Sequence, residues 1–160
     1  MNAKIVTAAE AAERLAAARA AGRRAVFTNG CFDLLHAGHV RYLAAARALG
    51  DLLAVGLNSD ASVARIKGTR RPINPQARRA EVLAALACVD LVVIFDEDDP
   101  LRLIETLRPE ILVKGADWAE ADIVGGDFVK AHGGRVETIA LVPGASTSAI
   151  IQTILERYRP

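Results

Sequence analysis

The sequence has 160 residues, of which 52% are hydrophobic and 24% charged, which excludes a mainly disordered chain and fits one domain with one core. Its 20 basic and 19 acidic side chains give a net charge of +1, so no nucleic-acid partner is expected. Two cysteines suit a reducing compartment, and no apolar stretch approaches the roughly 20 residues of a membrane-spanning helix. We therefore expect a cytoplasmic protein with no membrane partner.

Helix signals and short apolar runs alternate along the chain. A capping box that begins at Thr7 predicts a first helix that ends near Ala21. In chain order, the elements predicted after it are a strand at 25–28, a helix at 38–49, a strand at 52–57, helices at 60–66 and 75–87, a strand at 91–95, a helix at 100–107, a strand at 111–113, a helix at 123–132, a strand at 136–142 and a helix at 146–158.

The five predicted strands are short and apolar on both faces, which is typical of a parallel sheet covered on both sides. With right-handed crossovers they predict one α/β domain over residues 1–160, with an N-terminal helix in 1–24 and the catalytic core in 25–160. The expected fold is a doubly wound, Rossmann-like, five-stranded parallel sheet with helices on both faces. Ligands of such sheets bind where strands end, so residues that follow strands are the first candidates.

Two histidines follow the first strand, where a helix is predicted to begin. His36 and His39 are three residues apart and face one side, and Gly38 leaves room for a close approach. A helix start offers unpaired N–H groups and partial positive charge, so the pair favours a phosphate ligand. Taken alone, two histidines at this spacing more often have an ordinary structural role. A metal site is less favoured because no third ligand stands at metal spacing.

The segment from Thr28 to His39, "TNGCFDLLHAGH", resembles the signature of the HxGH nucleotidylyltransferase superfamily. The motifs "VGLNSDASVARIKGTRRPINP", "VKGADW" and "GASTSAII" follow in order and are similar to those of adenylyltransferases that act on D-glycero-β-D-manno-heptose 1-phosphate, over about residues 25–155. The resemblance implies transfer of AMP from ATP, accompanied by Mg²⁺, to that sugar phosphate. The product would be ADP-heptose for lipopolysaccharide core or other surface glycans.

The resemblance also implies roles for individual residues. His36 and His39 would hold the β- and α-phosphates, and Lys67 would neutralise phosphate charge and contact the second substrate. Asp60 and Arg78 match positions that border this second substrate. No residue is expected to form a dedicated metal site, because Mg²⁺ keeps most of its waters. Further nucleotide contacts are implied at Cys31, Phe32, Lys114, Gly115, Asp117, Ser146, Thr147 and Ser148.

The chain departs from the relatives in two respects. Leu141 stands where related cytidylyltransferases have an arginine near the cytosine, which favours adenine. The kinase half that many such proteins carry is absent, so a kinase on a separate chain is expected. We also expect a homo-oligomer, through the Ala-rich first helix and the apolar last helix. Two alternatives stay open: a related transferase for glycerol 3-phosphate, ethanolamine phosphate or phosphopantetheine, and a non-catalytic nucleotide-binding module.

Other features allow more than one interpretation. The basic stretch over residues 65–79 is either a solvated surface or a wall of the phosphate site. Trp118 either contacts a substrate or packs against its neighbours. Asp99 is interpreted as a helix cap, since it precedes Pro100, and Cys31 as structural, since no base stands at a recognisable spacing.

Overall fold

The computed structural model describes residues 3–159. Its strands pair in parallel in the order β3-β2-β1-β4-β5, so the predicted five-stranded parallel sheet is confirmed. The order reverses at β1, where the chain passes from the β2 side to the β4 side. Such a switch point opens a crevice at the carboxyl ends of the two strands. The strands are β1 Ala25–Gly30, β2 Leu52–Asn58, β3 Leu91–Phe95, β4 Ile111–Gly115 and β5 Arg135–Ile139.

Helices cover both faces of the sheet, as predicted. No helix within residues 3–159 has the length and apolar character needed to cross a bilayer. A single 3₁₀ turn, Glu120–Asp122, lies between β4 and the helix after it. The helices are α1 Ala8–Ala20, α2 Ala37–Arg47, α3 Asp60–Lys67, α4 Gln76–Ala84, α5 Leu101–Leu107, α6 Gly126–Ala131 and α7 Thr147–Arg157.

Alternating strand residues divide the core into two layers. On one face, Phe27 of β1 packs with Leu15 of α1 and Ile104 of α5, all fully buried. On the other face, Val26 of β1 packs with Leu43 of α2 and with residues of α4. Each strand thus contributes apolar side chains to both layers, which explains the continuous apolar runs in the sequence.

Side-chain caps fix the beginnings of three helices. Thr7 and Glu10 form the predicted capping box of α1, and Ser59 accepts from the N–H of Ser62 in α3. Ser146 accepts from the N–H of Ala149, as predicted for α7. The caps at Ser59 and Ser146 fix the first turns of α3 and α7 near the carboxyl edge of the sheet.

Four boundaries differ from the predicted ones. β1 extends to Gly30, because its last residues pair with β2, and β4 extends to Gly115, because it pairs with β5 to that point. The helix predicted from residue 123 begins at Gly126, because Gly125 has a φ of 83°, which lies outside the helical region. The last strand ends at Ile139, so the segment 140–146 is a loop over the sheet edge.

Candidate active site

A two-lobed cleft opens at the carboxyl ends of β1 and β4. Its lobes have volumes of about 430 and 500 Å³ and share one side, which suits two small ligands that meet in the middle. We call the first the histidine lobe; it is lined by His36, Tyr42, Gly115, Asp117, Leu141 and Ser146. We call the second the arginine lobe; it is lined by Asn58, Arg71, Asp98, Asp99, Val124 and Ser148.

The residues that line both lobes form what we call the shared floor. It is cationic or neutral: within residues 3–159, no carboxylate borders both lobes. An anion placed at the junction would therefore meet donors and cations without a competing acidic group. The shared floor includes Cys31, Phe32, His39, Lys67, Lys114 and Thr147.

The histidine pair lies at the start of α2 with its rings stacked. The centroids of His36 and His39 are 3.8 Å apart with 23° between the ring planes, and Phe32 meets the His39 ring edge-on. Both Nδ1 atoms are buried and have no hydrogen-bond partner within residues 3–159. Buried polar atoms without partners are unusual, so this arrangement is suited to a ligand that supplies the missing contacts.

Burial keeps the two imidazoles neutral in the ligand-free protein. Burial lowers the pKa of His39 to about 4, and the adjacent His36 contributes further to this lowering. Burial also lowers the pKa of His36 below its usual value. An anion beside the rings would reverse both effects, because a nearby negative charge favours the protonated imidazole.

Two helix starts converge on the histidine lobe. α2 begins after His36 and α7 begins after Ser146, and each presents backbone N–H groups without a helical partner at its first turn. Gly38 permits this approach, since a Cβ there would lie 3.0 Å from the Cβ of Ala145 and 2.9 Å from Nδ1 of His36. The glycine in the histidine motif thus joins the two helix starts into one anion-binding corner.

Lys114 brings a largely buried cation to the shared floor. Its Nζ donates to Oδ1 of Asn29 at 2.6 Å and lies 5.9 Å from the centre of the Trp118 ring. Burial lowers the pKa of Lys114 to about 8, and the charge of Asp117 offsets part of that effect. Lys114 therefore remains mainly protonated at neutral pH and has a neutral hydrogen-bond partner, which leaves its charge available to a ligand.

Asp33 fixes the far wall of the arginine lobe. Its carboxylate is 0% exposed; it accepts from Nε of Arg71 at 2.5 Å and from the backbone N–H groups of Ile73 and Asn74. Burial by itself raises the pKa of Asp33, but these donors outweigh it and hold the pKa below its usual range. The loop between α3 and α4 is thus tied to the segment that follows β1.

Arg79 is a buried cation beneath the cleft. It donates to the backbone oxygens of Cys31, Asn58 and Asn74 and to the Oδ1 atom of Asp60. Phe32, the residue after Cys31, has a φ of 44°, in the left-handed region that residues with a Cβ rarely adopt. The bond from Arg79 to the Cys31 oxygen therefore supports a strained turn in the floor.

Most of the predicted site residues lie together in the cleft. Asp60 and Arg78 do not: Asp60 is paired with Arg79 outside both lobes, and Arg78 borders a separate apolar groove under α7. Their roles toward the second substrate thus receive no support from their placement. The residues brought together are Cys31, Phe32, His36, His39, Lys67, Lys114, Gly115, Asp117, Ser146, Thr147 and Ser148.

Several polar residues of the site were not singled out in the sequence. Asn58 is the last residue of β2 and Asn29 the next-to-last residue of the neighbouring β1, and this position near strand ends was the available signal. Tyr42 bonds to Thr28 and to the Val113 oxygen, and burial raises its pKa to about 12, so it supports the lobe as a neutral phenol.

No group of three or more His, Cys, Asp or Glu side chains that would hold a metal is found within residues 3–159. The donors on the shared floor are imidazoles, lysines and amide groups, which suit phosphate oxygens rather than a bare cation. The shared floor therefore offers groups that suit an anion.

A family model described as cytidylyltransferase-like matches residues 27–153, which contain every element of the cleft except the first two residues of β1 and the end of α7. The matched region includes both helix starts and the loop between α3 and α4.

Curated proteins named "Bifunctional protein HldE" are similar over most of this chain. The one from Syntrophotalea carbinolica is 61% identical over 140 residues, which is 88% of this chain and 29% of that protein. The one from Geobacter sulfurreducens is 60% identical over 144 residues, 90% of this chain and 29% of that protein. This chain thus spans about three tenths of the length of these relatives.

A crystal structure described as the lipopolysaccharide core biosynthesis protein from Thermoplasma volcanium superposes with a TM-score of 0.63 and 30% sequence identity. The match covers 76% of this chain and 98% of the other chain, so the two proteins share a fold over nearly all of the Thermoplasma protein.

Proposed function

The chain belongs to the cytidylyltransferase-like family, and from that premise we propose that it transfers AMP from ATP to D-glycero-β-D-manno-heptose 1-phosphate, giving ADP-heptose and pyrophosphate. The family match and the relatives indicate a nucleotidyltransferase. The observation that carries the proposal is the cleft, in which an anion-binding corner and a second lobe meet at a floor without carboxylates. The sequence motifs resembling heptose 1-phosphate adenylyltransferases supply the acceptor's identity.

The reaction would be a direct displacement at the α-phosphorus. A phosphate oxygen of the sugar 1-phosphate attacks it, and the bond to the bridging oxygen breaks. Pyrophosphate then leaves with the electron pair. The attacking oxygen is already anionic, so no side-chain nucleophile is needed. Burial raises the pKa of the Cys31 thiol, which suits a structural residue rather than a nucleophile.

The two lobes suit the two substrates. The triphosphate of ATP fits the histidine lobe, where His36, His39 and the starts of α2 and α7 provide donors. The sugar phosphate fits the arginine lobe, where Asp98 and Asp99 can accept from hydroxyl groups. Each of these carboxylates has one oxygen engaged, with Arg65 or the N–H of Leu101, and a second oxygen left for a ligand. The α-phosphorus would then lie over the shared floor.

Adenine rather than cytosine is proposed as the base. Leu141 lines the histidine lobe beside Gly115, where a Cβ would lie 3.0 Å from the Leu141 side chain. This wall offers an apolar surface and backbone groups in place of a charged side chain. Related cytidylyltransferases place an arginine near the cytosine at this position. The apolar side chain of Leu141 cannot make that charged contact.

We propose that Mg²⁺ arrives bound to ATP and is held by phosphate oxygens and water. The donor set of the floor is consistent with this, because it provides positive charge to the phosphates and no cage for a cation. When bound, Mg²⁺ would neutralise phosphate charge, while the protein's own groups position the reacting atoms and stabilise developing charge.

We place the reaction in the cytoplasm, where ATP is available and the free thiols of Cys31 and Cys88 would persist. Two further points stay predictions. The first is that a kinase on a separate chain supplies heptose 1-phosphate, and the second is that the protein forms a homo-oligomer. Sedimentation of the purified chain tests the second of these directly.

The experiment that tests the function supplies the purified chain with ATP, Mg²⁺ and heptose 1-phosphate. We expect equal amounts of ADP-heptose, identified by its mass, and of released pyrophosphate. Parallel reactions contain glycerol 3-phosphate, ethanolamine phosphate or phosphopantetheine, each with ATP and with CTP. A higher kcat/KM for one of these acceptors would replace the heptose assignment. Nucleotide binding without pyrophosphate release from any pair would indicate a non-catalytic module.

A further inference from the structure

Arg71 differs from Arg70, the other arginine of the loop between α3 and α4, in being partly buried and fixed at the cleft. Its side chain is 17% exposed, and its Nε donates to Asp33, whose carboxylate is 0% exposed. Its terminal nitrogens, Nη1 and Nη2, donate to no residue within 3–159. The guanidinium is thus held at one end and unsatisfied at the other, inside a ligand-sized cavity.

The anchor of Arg71 is rigid because Asp33 is itself fully engaged. The same carboxylate accepts from the N–H groups of Ile73 and Asn74, while the Asn74 side chain donates to the Asp33 backbone oxygen at 3.0 Å. A carboxylate with this many donors has one orientation, and so the guanidinium plane it binds is also fixed. A fixed guanidinium fork matches two oxygens of a phosphate.

The position of Arg71 assigns it to the acceptor rather than to ATP. Arg71 lines the arginine lobe and does not line the histidine lobe, whereas Lys67 lines both. A phosphate monoester in the arginine lobe therefore meets Arg71 on one side and Lys67 at the junction with ATP. A nucleotide confined to the histidine lobe would not reach Arg71.

We propose that Arg71 binds the phosphate of the acceptor and that Asp33 acts as its positioning residue. The proposal rests on the proposed function, and it specifies which group recognises the second substrate. Arg71 would hold two oxygens of the phosphate monoester through Nη1 and Nη2, and the third oxygen would face the α-phosphorus. The acceptor class selected in this way is a phosphate monoester, and the rest of the arginine lobe would read the sugar.

The first test replaces Arg71 by lysine, which keeps the charge and removes the fork. We expect KM for heptose 1-phosphate to rise at least about tenfold, the effect of losing one charge-assisted hydrogen bond. KM for ATP should change by less than about twofold. Arg70→Lys is the matched control, since Arg70 is exposed, lies outside both lobes and should leave both constants unchanged.

The second test separates positioning by Asp33 from a merely structural role. Asp33→Asn should raise KM for heptose 1-phosphate and leave KM for ATP unchanged. In the double variant with Arg71→Lys, the increase should not exceed that of Arg71→Lys alone, because both changes remove the same contact. Increases that multiply, or an equal rise in KM for ATP, would overturn the positioning role.

A binding measurement keeps this proposal distinguishable from the proposed function. Titration calorimetry would follow mannose 1-phosphate, a stable sugar phosphate, into the wild-type chain and Arg71→Lys, each saturated with an ATP analogue whose α–β bridge cannot be cleaved. Wild-type binding that is weakened at least about tenfold in the variant supports Arg71 even if no ADP-heptose forms. No wild-type binding, or equal binding to both proteins, would overturn the assignment. A chain that binds the sugar phosphate but transfers no AMP to heptose 1-phosphate refutes only the function.

Discussion

Replacing the buried cation under the cleft by an apolar side chain should destabilise the protein strongly. Arg79→Met keeps an unbranched side chain of similar length and removes every donor. The Arg79 side chain is 1% exposed and reaches four acceptors on three segments, namely the turn after β1, the region from the end of β2 to the start of α3, and the residue before Pro75. The variant leaves those acceptors facing a thioether.

The expected loss can be estimated from those contacts. Breaking a buried ion pair by removing one partner costs about 3–5 kcal/mol, and abandoned acceptors contribute about 1–3 kcal/mol each. Asp60 is 42% exposed and can recover water, so its share is small. The free energy of unfolding should therefore fall by about 3–4 kcal/mol, mainly through the backbone oxygens of Cys31, Asn58 and Asn74. In a domain of this size that lowers Tm by roughly 10 °C.

Urea unfolding followed by circular dichroism measures this loss, and two variants serve as controls. Arg78→Met changes the adjacent exposed arginine and should alter stability by less than about 0.5 kcal/mol. Asp60→Asn removes the charge partner but keeps an acceptor, and it should cost about 1 kcal/mol. If Arg79→Met costs no more than Asp60→Asn, the backbone oxygens do not depend on Arg79, and the reasoning is refuted.

Three further predictions concern the histidine lobe. His39→Ala should lower kcat at least about tenfold in a pyrophosphate-release assay while the unfolding midpoint is kept; turnover near that of the wild type would contradict its role. Leu141→Arg should raise the ratio of kcat/KM for CTP to that for ATP, and an unchanged ratio would show that this wall does not select the base. Binding of ADP at pH 6 should take up protons, because the pKa of His39, about 4 in the free protein, rises beside phosphate. Calorimetry in two buffers of different ionisation enthalpy measures that proton uptake. The affinity for ADP should also rise as the pH falls from 7 to 5. Zero proton uptake would contradict the assigned contact between His39 and phosphate.

Local patterns were sufficient to predict the layered sheet and the placement of the two histidines at a helix start. The strand Leu91–Phe95 has the predicted bounds, and the caps at Thr7 and Ser146 lie where predicted. These features depend on residues within a few positions of one another. The histidine pair was found for the same reason, because both rings belong to one helix start.

The buried ion pairs could not be predicted, because they join residues far apart in the sequence. The two interpretations of the basic stretch over residues 65–79 were a solvated surface and a wall of the phosphate site. The stretch contains exposed residues such as Arg70, residues that line the cleft, and also a residue buried in the core. Arg71 lies at the cleft beside Asp33, 38 positions away, and Arg79 lies in the core. Helix periodicity held one unused signal, since Arg79 is four residues before the buried Leu83, on the same face of α4.

In the proposed function, the stacked histidines would couple positive charge in the site to the presence of the nucleotide. Two unit charges 3.8 Å apart repel by about 4 kcal/mol at an effective dielectric constant of 20, and burial of the rings adds to the cost of charging them. A doubly protonated pair is therefore excluded at neutral pH in the free protein. A triphosphate at the same distance provides attraction of similar size for each ring, and so protonation becomes favourable only when phosphate is bound. With phosphate bound, the protonated rings can donate strongly to developing negative charge. The free protein avoids the cost of keeping two protonated imidazoles together when no phosphate is present.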